Sequence, residues 1–153
     1  MTGISVVAGR HLRFRATGDV AYGPPPCCGP NAPDGNTADI VSHAGESENG
    51  IARVRAPVNC LLGVFLGTNQ PSLTPSQPGL DFSTPASRDY RTISPALKQP
   101  FFIGDGRTSS NETQEVVVPG GAARLFLGTM DSWDGGIILA RSSSRFPRRT
   151  YHT

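Results

Sequence analysis

Polar and apolar residues alternate along 10–16, Arg-His-Leu-Arg-Phe-Arg-Ala, which predicts a strand with Leu12, Phe14 and Ala16 on a buried face and Arg13 and Arg15 on a wet one. Residues 51–67 read as an alternating segment, a turn at Ala56-Pro57, and an apolar strand through Leu61, Leu62, Val64, Phe65 and Leu66. Residues 114–129 repeat that design: an edge-like run, a turn at Pro119-Gly120-Gly121, then a strand from Arg124 to Thr129. Both segments end in Phe-Leu-Gly-Thr, as two equivalent strands in packed sheets would. Residues 101–108 suggest a strand entering a turn at Asp105-Gly106.

Helical periodicity is not sustained anywhere, because Pro or Gly interrupts nearly every candidate window. Residues 94–100, Ser-Pro-Ala-Leu-Lys-Gln-Pro, allow one short helical turn. Residues 68–100 hold six prolines and read as a long surface excursion. The pattern predicts an all-β fold, a β-sandwich, in one domain over residues 1–140, followed by a flexible tail over 141–153.

Composition agrees with short strands and many turns: Gly 18 and Pro 14 are spread through 153 residues rather than gathered in one tract. The formal charge of +2 comes from the tail, where Arg141, Arg145, Arg148 and Arg149 meet no acid. The preceding 140 residues carry 10 basic and 12 acidic side chains. That balance argues against a nucleic-acid-binding face. No stretch approaches the roughly 18 apolar residues of a membrane helix, and the first residues lack the basic and apolar regions of a secretory signal. The chain is therefore expected either to be cytosolic or to begin after a signal.

Cys27, Cys28 and Cys60 fit neither a disulfide framework nor a paired zinc motif. One of the adjacent pair could bridge to Cys60; a buried or idle thiol is the alternative. Enzyme chemistry finds little support. Gly-Glu-Ser-Glu-Asn-Gly at 45–50 lacks the Gly-x-Ser-x-Gly pattern that would expose Ser47 as a nucleophile. His43, the one mid-chain histidine, would have to carry any acid–base role. Asn111-Glu112-Thr113 meets the glycosylation pattern. What remains is a constellation: Tyr22-Gly23-Pro24 after one strand, His43 in a polar loop, and Asp131 directly after another strand. Loops at one end of a sandwich can unite such positions, and a carboxylate there can join carbonyls around a hard cation or simply cap a turn.

Two stretches, Ala16-Thr17-Gly18-Asp19-Val20-Ala21-Tyr22-Gly23-Pro24 and Val116 through Gly136, resemble the calcium-dependent galactose-binding lectins of the PA-IL type. The similarity is closer to related bacterial domains of exported proteins that carry a PEP-CTERM sorting tail, and it covers roughly residues 8–136. The resemblance implies that Tyr22 offers a backbone carbonyl to Ca2+, that Asp131 binds Ca2+ and a sugar hydroxyl, and that His43 contacts the sugar. It further implies galactose-type glycans as partners and an extracellular or cell-envelope location; no membrane insertion is expected, for want of a long apolar stretch.

The chain departs from that pattern after Asp131, where Ser132-Trp133-Asp134-Gly135-Gly136-Ile137-Ile138 contains none of the family's paired asparagines. Asp134 is the candidate replacement ligand, and Trp133 either stacks on the sugar or lies partly buried at the strand end. The arginine- and serine-rich ending replaces the expected last strand, by divergence or by an altered reading frame after about Gly136. A sheet lacking that strand would expose unpaired backbone groups and favour homo-oligomers. The expected function is thus a non-enzymatic, calcium-assisted carbohydrate-binding domain; the alternative is a structural or adhesion domain with a degenerate sugar site.

Overall fold

A computed structural model describes residues 3–21, 23, 28–42, 49–131 and 138–139. The fold is all-β, as the sequence pattern predicts. Its strands are β1 (Ile4–Ser5), β2 (His11–Arg13), β3 (Asn36–Ser42), β4 (Val54–Val58), β5 (Leu61–Leu66), β6 (Leu80–Asp81), β7 (Thr92–Ile93), β8 (Phe101–Phe102), β9 (Glu115–Val117), β10 (Arg124–Thr129) and β11 (Ile138–Leu139). They form three sheets, ordered β1-β10-β5-β8, β2-β9-β7 and β3-β4-β6, with β11 also paired to β10.

Side chains from all three sheets meet in one core: Leu62, Phe65, Phe101 and Leu125 from the first, Val116 from the second, Val54 and Ala56 from the third. The predicted alternation holds at β2, where Leu12 and Phe14 pack on this core while His11, Arg13 and Arg15 stay exposed. At its centre Phe65 and Phe101 stack with ring centroids 5.0 Å apart. Gly63 makes room for that stack, because it pairs with Phe101 across β5 and β8 and a Cβ there would fall 2.6 Å from the ring.

The two Phe-Leu-Gly-Thr segments are not equivalent strands of opposing sheets. They are antiparallel neighbours in one sheet, with Phe126 opposite Val64 and Leu127 opposite Gly63. Similar composition follows from similar surroundings, since each residue in this sheet's centre must pack apolar groups on its inner face.

The turn expected at Ala56-Pro57 also lies elsewhere. β4 runs through Pro57, and the chain reverses at Asn59, whose φ of 64° is left-handed. Asparagine tolerates that conformation better than most residues. Pro57 has no N–H for a ladder, and β3 accommodates it with a bulge: its pairing jumps from Asn36↔Val58 to Ile40↔Pro57.

Residues 68–100 are more than a surface excursion. They supply β6, which pairs in parallel with β4, and β7, which pairs in parallel with β9. Phe82 is buried, and Tyr90, Ile93 and Leu97 pack against the core. Among the described residues the helical turns are α1 (Pro85–Arg88) and a 3-10 turn at Pro71–Leu73, and neither falls at 94–100. Thr84 caps α1 by accepting from Ser87 N, the Ser87 hydroxyl accepts in return from Thr84 N, and Pro85 occupies the first turn.

The ending differs from expectation as well. Ile138 and Leu139 pair antiparallel with Thr129 and Gly128, so β11 covers part of the edge expected to be bare. The proposed tail, residues 141–153, lies outside the described residues.

Candidate functional site

Asp131 leaves the sheet from a fixed point. The preceding residue, Met130, is buried and tied on both sides: its N–H donates to Cys60 O at 2.9 Å, and its carbonyl accepts from Asn59 N at 2.8 Å. The β4–β5 turn is thereby fastened to the end of β10. The same turn reaches a third segment, where Asn59 Nδ2 donates to Asn31 Oδ1 at 2.8 Å. Asn31 in turn exchanges two backbone hydrogen bonds with Val20, at 3.0 and 2.8 Å, and Leu61 N donates to Pro33 O.

These ties enclose a groove of about 360 Å³ between residues 16–20, the Asn31–Asn59 pair and the end of β10 at Leu127 and Thr129. Ala16, Val20, Pro33, Leu61 and Leu127 give it aliphatic walls, while Thr17, Asp19, Asn31, Asn59 and Thr129 bring polar groups. Asp131, half-buried, lies two residues beyond Thr129. A small ligand with both an apolar surface and hydroxyls is the chemistry this lining accommodates.

Of the expected calcium and sugar ligands, Asp131 alone is described; Tyr22, His43, Trp133 and Asp134 lie outside the described residues, as does Ser47. What the structure does bring to the groove is the Ala16–Val20 stretch, beside Leu127 and Thr129 of β10. Asn31 and Asn59 were not legible as site residues. Asn59 stands between two apolar runs and Asn31 in a Gly- and Pro-rich stretch, and either setting marks only a turn. Among the described residues no group of three or more His, Cys, Asp or Glu side chains converges. Asp131 is therefore the one described member of the expected calcium set, a hard oxygen donor of the type that Ca2+ takes.

The cysteines resolve against a bridge to Cys60. Cys28 is disulfide-bonded, whereas Cys60 is a free, buried thiol whose pKa burial pushes above its ordinary range. A thiol so placed is inert. Asn111, of the glycosylation pattern, sits exposed in a turn with a φ of 63°.

No family model, curated protein or solved structure matches the chain.

Proposed function

We propose that the protein is a non-enzymatic carbohydrate-binding domain whose site lies at the end of β10. The observation that carries this reading is the convergence of Asp131's strand end, the Asn31–Asn59 pair and the Ala16–Val20 segment on one groove. Amide and carboxylate groups at the rim suit sugar hydroxyls, and the aliphatic walls suit the C–H face of a pyranose. In this reading Asp131 accepts a hydroxyl, His43 and Trp133 contact the sugar, and galactose-type glycans are the ligands. Asp131, Asp134 and the carbonyl of Tyr22 would hold Ca2+. The cation would supply a centre on which sugar hydroxyls replace water. Export to the cell envelope belongs to the same proposal and rests on the family resemblance.

The test is thermal unfolding in calcium or in EDTA, each with and without galactose. A ligand selective for the folded state raises the midpoint by mass action. The expected result is a rise in calcium, a further rise with galactose, and loss of both in Asp131→Ala. Four superimposable curves at millimolar ligand would reject the reading and leave a structural or adhesion domain.

A further inference from the structure

A second groove, of about 290 Å³, opens between α1, residues 34–37 and the turn after β8. It is independent of Asp131. Its lining includes three carboxylates, Asp34, Asp89 and Asp105, and two guanidinium groups, Arg88 and Arg107.

These opposite charges do not neutralise one another by direct pairing. Among the described residues the ion pairs lie elsewhere, at Glu115, Arg55–Asp81 and Arg91–Glu112. Each guanidinium is instead steered by a backbone carbonyl: Arg88 Nη1 donates to Phe82 O at 2.7 Å, and Arg107 Nη1 to Asn111 O at 3.1 Å. Two of the carboxylates are held the same way. Asp34 Oδ1 accepts from Asp105 N at 3.0 Å, and Asp105 Oδ1 accepts from Arg107 N at 2.8 Å. Asp89 is committed to Ser109, accepting from its N–H and its hydroxyl. The groups are thus fixed by the backbone while Asp34, Asp105 and both arginines retain further hydrogen-bonding capacity.

A buried amide braces the segments that carry these groups. Gln114, 2% exposed, donates from Nε2 to Arg88 O and Tyr90 O, and its N–H bonds Gly106 O, so it ties one wall to the other. Its Oε1 has no hydrogen-bond partner among the described residues.

We propose that this groove is a second binding site, taking a neutral polyhydroxylated ligand of the saccharide class. The charge pattern selects that chemistry. An anion would face three carboxylates, a simple cation would face two guanidinium groups, and a polyol can donate to the first while accepting from the second. Phe102, among the lining residues, adds an apolar group for the ring. The inference does not depend on the Asp131 groove.

The experiment is an amide-resolved NMR titration of the full chain with the methyl glycosides of galactose, glucose, mannose and xylose, and separately with sodium sulfate and calcium chloride. At least one glycoside is expected to shift the amides of Asp34, Asp105 and Ser109. Asp34→Asn, which keeps an oxygen for Asp105 N–H, is expected to weaken that response about tenfold, the equivalent of one charge-assisted hydrogen bond. Shifts confined to Asn59 and Thr129 would overturn this site while supporting the Asp131 groove. A response at Asp34 and Asp105 to sulfate or calcium but to none of the glycosides would overturn it too, as would an unchanged response in a folded Asp34→Asn protein.

Discussion

Lys98 is 8% exposed and has no carboxylate as a partner among the described residues; its Nζ donates to Thr74 O at 2.9 Å, Pro75 O at 2.6 Å and Thr74 Oγ1 at 2.6 Å, with Pro71 O further off at 3.3 Å. It therefore fastens residues 71–75 to the sheet, while its own backbone bonds Phe65 O and Ala52 N. Replacing it with methionine keeps the apolar stem and removes the ammonium. Two effects oppose each other. Desolvating an ammonium is costly, and methionine relieves that cost. Against this, the ammonium satisfies three close acceptors, and hydrogen bonds to a charged group contribute about 1.5–3 kcal/mol each. Thr74 and Pro75 are exposed, so water recovers part of the loss at their carbonyls. The expected net destabilisation for Lys98→Met is about 2–4 kcal/mol, or a fall in Tm of about 4–16 °C for a chain of this length. Circular dichroism melting measures it, and hydrogen exchange should show faster opening confined first to the segment around Leu73. A melting point equal to or above that of the parent would refute the reasoning, because desolvation would then outweigh the carbonyl cage.

Substitutions at three further positions probe other parts of the argument. Gly63→Ala pushes a Cβ into Phe101 and should destabilise by about 1–3 kcal/mol in urea unfolding; a neutral effect would mean the Phe65–Phe101 stack shifts freely. Asn59→Ala loses the bond to Asn31 and places alanine at positive φ, for an expected loss of about 2–3 kcal/mol, whereas Asn59→Gly should recover part of it. If the two variants melt together, the turn conformation is not what asparagine supplies. Asp34 has its pKa raised, chiefly by burial and further by Asp105, against the lowering effects of the Asp105 N–H and of Arg88. Its sign follows from linkage: between the ordinary carboxylate pKa and the raised one the unfolded chain has lost the proton that the folded chain keeps, so stability falls as pH rises through that window. Asp34→Asn should therefore gain Tm relative to the parent as pH increases from about 3 to 7, and a pH-independent difference would contradict the burial argument.

Alternation and punctuation in the chain were enough to establish the class of fold. Leu12 and Phe14 against Arg13 and Arg15, and the apolar runs ending at Leu66 and Thr129, declare their buried faces locally, because the period of a strand is fixed by its backbone. Turn residues likewise marked Pro119-Gly120-Gly121 and the reversal after Phe102. Partner choice was not written locally. That the two Phe-Leu-Gly-Thr strands lie side by side, that β6 and β7 join sheets from within a proline-rich stretch, and that Ile138-Leu139 extend the edge of β10 all depend on hydrogen bonds between distant residues.

The candidate sites divide the same way. Asp131 was conspicuous because a carboxylate follows an apolar strand. Nothing local in the sequence links Asn31 to Asn59 or Asp34 to Asp105, and only the tertiary fold brings each pair together. A strand's period is a property of consecutive residues, whereas a groove is made by segments that meet only once the core beneath them has packed.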